Sequence, residues 1–271
     1  MTRSPNGSSI KNITYSLVKF SLPLIFSGIL QQLYNWADAF IVGNVNGELA
    51  LAAVGATTTV INFFVTAITG FTLGLSILFA QKFGSGEIDA IPKILSTFSI
   101  LLGIIFIFLA GLGVSFTSPL LHLLHTTPDT VLLAEEYLRI IFIGVPFLAV
   151  YNVYSSALRG IGNSKAPFYS VMLSSILNVI LDIAFVAFFH WNVAGAAIAT
   201  VISQAAMTIF LVAYSIKKYD LLRFRFSRKS VNKKMLKYGV LFGIPPMLQS
   251  SVSSVGSLIL QNFMNGLGTQ T

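Results

Sequence analysis

The chain has 271 residues, of which 55% are hydrophobic and 10% charged, and its mean hydropathy is +0.80. Soluble domains carry about a quarter charged residues, so this composition excludes a water-facing globular surface and points to an all-α integral membrane protein. No cysteine is present, which excludes disulfides and thiolate metal ligands; the net charge of +8 reads as lysine and arginine holding loops on one side of a bilayer, and no nucleic-acid partner is expected.

A spanning helix needs roughly 20 mostly apolar residues. Seven such runs follow one another: Tyr15–Gly43, Leu49–Phe83, Ile91–Phe116, Thr130–Leu158, Ala166–Phe189, Val193–Ile216 and Met235–Leu267. The polar start "MTRSPNGSSIKN" lacks a small-residue cleavage signature, so the first run is expected to act as its own insertion signal.

With the first terminus inside and the runs alternating, the inner segments carry Arg3, Lys11, Lys19, Lys82, Lys93, Arg159 and Lys165. The loop after the sixth run adds Lys217, Lys218, Arg223, Arg225, Arg228, Lys229, Lys233, Lys234 and Lys237. Only Arg139 of the 17 basic residues is left, near the outer half of the fourth run, where it can pair with Glu135 or Glu136 at helical spacing. This asymmetry predicts a multi-pass protein of the plasma membrane with its amino terminus in the cytoplasm and its carboxyl terminus outside. The stretch "KKYDLLRFRFSRKSVNKK" reads either as an amphipathic segment on the inner leaflet or as a solvated basic linker.

That stretch divides the chain. Residues 1–218 form a six-helix lobe, 219–234 a basic cytoplasmic linker, and 235–271 a further helix. "LVKFSLPLIFSGILQQ" and "LKYGVLFGIPPMLQSS" both carry a basic residue, an aromatic, an early proline, then leucine and glutamine. Weak repeats of this kind mark transporters built from two related halves. The seventh run therefore reads as the first helix of a second lobe, and the chain as a fragment whose partner is the missing carboxyl-terminal lobe.

Two of the nine acids, Asp38 and Asp182, lie well inside apolar runs, where a carboxylate is costly and marks a functional site. Each continues a polar stripe. Gln31, Tyr34, Asn35 and Asp38 share one helix face, and Ser170, Ser174, Asn178 and Asp182 share another. Thr200, Ser203 and Gln204 in the sixth run, and Tyr151, Asn152 and Ser155 in the fourth, offer further polar groups. Such stripes cannot face lipid, so they are expected to converge on a wet or mutually bonded interior. Serine and threonine there can simply glue helices together. Two carboxylates in one low-dielectric pocket are different: they repel when both are ionised, so the pair must hold a proton or a cation. "HLLH", His122 and His125, has a helical ligand spacing, but it lies near an outer loop with no acid beyond Asp129, and no metal site is expected. No nucleophile–base constellation and no phosphate-binding loop is present, so neither enzyme chemistry nor ATP coupling is expected, and no cofactor beyond a coupling ion.

The segments "LPLIFSGILQQLYNWADAFIVG", "LAAVGA", "ALRGIGNSKAPFY", "NVILDIAF" and "VAGAAIATVISQ", in this order, resemble the MATE family, the multidrug and toxic compound extrusion transporters. The resemblance implies an inverted-V transporter of two six-helix lobes that exports amphipathic or cationic drug-like molecules in exchange for H+ or Na+. Asp38 matches the family's helix-one acid, Asn178 and Asp182 its "NxxxD", and Thr200 a polar position in "AxAT"; these four are the implied cation or proton site. Tyr34, Tyr137 and Asn152 fit neighbouring positions, and with Gln31, Asn35, Ser155 and Gln204 make the expected substrate cavity. Pro23 matches the helix-one proline, an expected hinge. A lipid-linked oligosaccharide flippase of the same superfamily, or a non-transporting half-length scaffold, are the other readings.

The absence of native cysteine makes the topology directly testable. Asn46→Cys is expected to react with an impermeant maleimide on intact cells, and Ser85→Cys only after the membrane is opened. Labelling of both from one side contradicts the alternation.

Overall fold

The computed structural model describes residues 7–224 and 231–266, with side chains from 11 to 224 and from 231 to 264. Arg3, Arg225, Arg228 and Lys229, the middle of the basic linker and the residues from Leu267 onward lie outside the described residues. Seven α-helices follow one another: α1 (Gly7–Asn46), α2 (Glu48–Gly84), α3 (Ala90–Leu123), α4 (Pro128–Gly160), α5 (Lys165–Asp182), α6 (Asn192–Lys218) and α7 (Lys233–Gly266). Five segments are long and apolar enough to cross a bilayer, namely α1, α2, α3, α6 and α5 with its extension to Phe188. Helices α4 and α7, of 33 and 34 residues, also have the length; α4 carries the polar residues Tyr151, Asn152, Ser155 and Ser156, and α7 carries Gln249, Ser250, Ser253 and Ser254.

Helix α4 is the centre of the bundle and packs on α2, α3 and α6, while α1 lies mainly on α5. Phe64 meets the Phe142 ring edge-on, with centroids 5.3 Å apart, and Phe142 fills the space that a side chain at Gly113 would need. One apolar cluster runs through α2, α3 and α4, with Leu75, Phe79, Ile91, Phe98 and Leu138 fully buried. A second, smaller cluster of Val42, Ala50, Val186, Val193, Ala196 and Ala197 closes the end where α1 meets α2 and α5 meets α6.

The motif "ALRGIGNSKAPFY" builds the α4–α5 turn. Gly160 lies against Phe79 of α2, and Gly162 holds a left-handed φ of +85°, open to glycine without strain. Asn163 Oδ1 accepts from the backbone of Lys165 and Ala166 at 3.2 and 3.1 Å and so caps α5. Asn163 Nδ2 donates to the Tyr219 hydroxyl at 2.9 Å, which ties this turn to the end of α6.

The linker begins as part of the core. After α6, Asp220–Leu222 make one 3-10 turn, and Leu222 is fully buried. Leu221 and Leu222 pack on the main cluster, while Asp220 and Arg223 beside them stay exposed. Asn232 then accepts from the backbone of Lys234 and Met235 and opens α7.

Helix α7 runs antiparallel along α2 from Thr59 to Lys82. Its seam is built from two sequences of one spacing, "GFTLG" (Gly70 and Gly74) and "GVLFG" (Gly239 and Gly243). Residues four apart share a helix face. A Cβ on Gly70 meets Met247 Cα and the Pro246 carbonyl oxygen at 2.8 Å, and one on Gly74 collides with the Phe242 backbone. Phe71 lies over Gly243 and Phe98 over Gly239. Small residues at this spacing let two backbones approach, which drives helix association in lipid, where apolar side chains gain nothing from leaving one apolar phase for another. Further along, Thr66 and Ser254 share a hydroxyl bond of 2.6 Å, and Thr59 Oγ1 donates to Gln261 Oε1 at 3.4 Å. Asn262 Nδ2 donates to the Leu123 carbonyl at 2.8 Å.

Filling the seam is expected to be costly. Gly74→Leu should lower the stability of the detergent-solubilised protein by about 2 kcal/mol or more through forced backbone movement, read as a fall in thermal midpoint. Gly103→Ala in α3, with nothing within 4 Å of its Cβ position, should hold or raise it by removing helix-interior glycine.

Candidate functional site

The polar stripe of α1 faces the bundle. Asp38 is 8% exposed, Asn178 2% and Asp182 0%. Asp38 and Asp182 are close enough to interact electrostatically. Tyr137 of α4 is within electrostatic reach of both acids and of Tyr34. Asn178 Nδ2 donates to Thr200 Oγ1 at 3.4 Å, joining α5 to α6. The structure thus gathers Asp38, Asn178, Asp182, Thr200, Tyr34 and Tyr137 at the junction of α1, α4, α5 and α6.

Asp38 Oδ1, Asn178 Oδ1 and both carboxyl oxygens of Asp182 are buried and accept no hydrogen bond from any described residue. Among the described residues no lysine or arginine forms an ion pair with either acid. Buried polar groups in folded proteins are almost always hydrogen-bonded, and an unpaired buried carboxylate is worse than an unpaired amide. Four such oxygens in one place are acceptor-rich and donor-poor. That is the chemistry of a proton or hard-cation site.

Directly after Asp182 the helix changes pitch. Ile183–Phe188 form a π-helical segment, with the Phe189 amide donating to the Ala184 carbonyl at 2.9 Å. Within it, Phe185 stacks on Trp191 with centroids 4.9 Å apart. Wide π turns displace the residues that follow relative to an α register and often occur at functional positions. Here the turn follows the acid directly and carries Val186 into the apolar cluster that closes the end of the bundle.

A cavity of about 510 Å³ opens beside the acids. Gln31, Tyr34, Asn35, Asp38, Tyr137, Thr200 and Gln204 line it, seven positions singled out in the sequence. Asn178 and Asp182 stand behind this wall and not on it. Asn152 lies instead in a neighbouring cavity, its Nδ2 bonded to the Leu148 carbonyl at 2.9 Å. Ser155 is buried on α4 and lines neither. Two wall residues of α2, Thr58 and Asn62, escaped the sequence reading. Asn62 interrupts the apolar run "TVINFFV", which is the signal that could have found it.

Pro23 is 15 positions before Asp38 in the same helix. Helix α1 runs through it without a break. Proline has no N–H, so the carbonyl of Lys19 lacks its usual backbone donor; Ser27 Oγ donates to the Pro23 carbonyl at 2.8 Å.

Several comparisons bear on this arrangement. The family model MatE matches residues 23–184. The "Probable multidrug resistance protein YpnP" of Bacillus subtilis (strain 168) is 31% identical over 260 residues, covering 95% of this chain and 57% of that one. The "Multidrug export protein MepA" of Staphylococcus aureus (strain MRSA252) is 28% identical over 93% of this chain and 56% of its own length. Among solved structures, the outward-facing conformation of a multidrug resistance MATE family transporter superposes with a TM-score of 0.83 at 26% identity, over 90% of this chain and 54% of that one. A MOP superfamily transporter from Pyrococcus furiosus, described as having a binding pocket of reverse polarity, superposes at 0.82 and 26% identity over 90% and 54%. This chain spans a little over half the length of the curated relatives it matches. With its multi-pass helical fold and a family match over more than half its residues, the chain belongs to the MatE family of multidrug-resistance transporters.

Proposed function

We propose that the chain is the ion-coupling lobe of a multidrug efflux transporter of the plasma membrane, with its amino terminus in the cytoplasm. A proton or a sodium ion binds at Asp38, Asn178, Asp182 and Thr200. An amphipathic, cationic drug-like molecule occupies the adjoining cavity. The exchange of one for the other drives export, with the remaining lobe supplied by the rest of the transporter. The carrying observation is the set of four buried, unbonded acceptor oxygens, one on Asp38 in the wall of a ligand-sized cavity and three on Asn178 and Asp182 behind it.

The geometry supplies a route for coupling. Asp38 belongs both to the acid cluster and to the cavity wall. A cation shared between Asp38 and Asp182 draws α1 toward α5. The same helix carries Gln31, Tyr34 and Asn35 along the cavity, so its position sets the shape a drug meets. The missing backbone donor at Pro23 makes that part of α1 easier to bend. A cationic drug also competes for the Asp38 charge. An ion that binds one shape of the lobe about 100-fold more tightly than the other shifts the balance by about 2.7 kcal/mol.

A lipid-linked oligosaccharide as cargo fits less well, because its pyrophosphate meets Asp38 in a cavity lined by no described lysine or arginine. Like charge opposes binding there.

In energised vesicles, dye efflux by the complete transporter should fall at least about tenfold for Asp38→Asn and for Asp182→Asn. Efflux equal to the parent in both variants rejects the coupling role. The ion is read separately: Na+ should raise the thermal midpoint of the parent in a saturable way if sodium is bound, and Asp182→Asn should abolish the rise. A midpoint that responds to pH and not to Na+ identifies the proton.

A further inference from the structure

The acid-lined cavity has a neighbour of opposite sign. The second chamber holds about 520 Å³ and shares Gln31, Val65 and Leu148 with the first. It lies toward the end of the bundle that carries the α2–α3 and α4–α5 turns, with walls from α1, α2, α4 and α5 and one residue of α7, Ser250. Arg159 is the one charged side chain among its described walls, and no acid lines it.

Arg159 stands in the last turn of α4. Its place at the basic end of the chain fits a residue that only holds a loop on one side of the bilayer. Such an arginine extends its guanidinium into water. Arg159 is half-buried, and its Nε is enclosed and donates to no described residue. Three ion pairs form among the described residues, Lys82–Glu87, Arg139–Glu135 and Arg223–Asp220, and Arg159 is in none of them. It interacts with Tyr151, whose hydroxyl donates to the Pro167 carbonyl at 3.5 Å. One phenol oxygen leaves most of the five guanidinium donors unused.

Several of the other polar walls have committed their donors. Thr72 donates to the Ile68 carbonyl at 2.8 Å, Ser156 to Val153 at 2.7 Å and Asn152 to Leu148 at 2.9 Å. Arg159 therefore brings the chamber its one described charge together with a buried, unbonded Nε–H. Guanidinium remains charged whatever its surroundings and matches a planar or tetrahedral oxyanion with paired bonds. Phe20, Leu24, Leu73 and Val171 give the rest of the wall an apolar character.

We propose that this chamber binds a single oxyanion group, phosphate or carboxylate, borne on an amphipathic body, with Arg159 as its partner. The anion cancels the one uncompensated charge of the chamber, and the apolar walls take the attached chain. A lone arginine suits one such group and not the pyrophosphate of a lipid-linked sugar. The inference needs no step of ion exchange, because it is read by binding alone.

The test uses the purified protein in uncharged maltoside detergent and isothermal titration with three probes. Dihexanoyl phosphatidic acid supplies body and phosphate, inorganic phosphate the anion alone, and dihexanoylglycerol the body alone. Saturable binding of the phosphatidic acid is expected, weakened about tenfold or more by Arg159→Gln, with no effect of that change on dihexanoylglycerol. Inorganic phosphate that competes with the same dependence on Arg159 identifies a soluble anion as the source; competition only by the lipid identifies a headgroup. Ser76→Glu keeps Arg159 but sets a carboxylate in the chamber wall, where the Ser76 carbonyl lies 3.1 Å from the Cβ position of Gly160; it is expected to abolish binding and carries the test if Arg159→Gln fails to fold. No saturable binding by the parent, or parental affinity in either variant, overturns the proposal.

Discussion

An apolar helix bundle cannot leave a carboxylate unanswered, and two carboxylates in reach of each other make that demand more severe. Asp38 and Asp182 set much of the remaining arrangement. They fix the rotation of α1 and α5, because each sits on a polar stripe that lipid cannot solvate. They require α6 to bring Thr200 to Asn178. The apolar cluster around Val42, Val186 and Ala196 closes the same end of the bundle, so electrostatic interactions inside are not diluted by bulk water. Among the described residues, the acids and Asn178 are left with a set of unpaired acceptor oxygens, and this asymmetry is the basis for reading the site as one that takes up positive charge.

Helix α2 links the site to the rest of the molecule. One of its faces contributes Val54, Thr58, Ile61 and Asn62 to the acid-lined cavity. Another presents Gly70 and Gly74 to α7. A single long helix thus touches both the acid-lined cavity and α7. The two contacts differ in kind. At the seam backbone meets backbone, and hard-sphere exclusion leaves little play. Along the remainder, hydroxyl and amide bonds such as Thr66–Ser254 and Thr59–Gln261 hold the helices together; these are weaker in lipid than their number suggests.

Much of this was legible in the sequence, and the reasons are local. The spacing of Gln31, Tyr34, Asn35 and Asp38 gives one helical face without knowledge of a neighbour. Asn178 and Asp182 follow the same rule. The basic linker located α7, although Leu222 enters the core because a charge run says nothing about the leucines inside it. The split between the two cavities was hidden. Asn152 and Gln204 are equally polar in a list, and only the packing of α4 on α2 and α6 separates them. The π turn after Asp182 was also out of reach, since "IAFVAF" is equally compatible with an α pitch. "GFTLG" and "GVLFG" were visible, yet a glycine pair acquires meaning only from the helix it faces. Arg159 was read by its sign and side of the membrane, which masked its place in a chamber wall.

The central claim is that Asp38 and Asp182 serve one positive charge between them. Infrared difference spectroscopy of the membrane-embedded protein, recorded while pH or Na+ is stepped, reads the carboxyl groups themselves. The account predicts a carboxyl band that changes on the step in the parent protein and disappears in both Asp38→Asn and Asp182→Asn, because each acid depends on the other. A band that persists unchanged in either variant contradicts it.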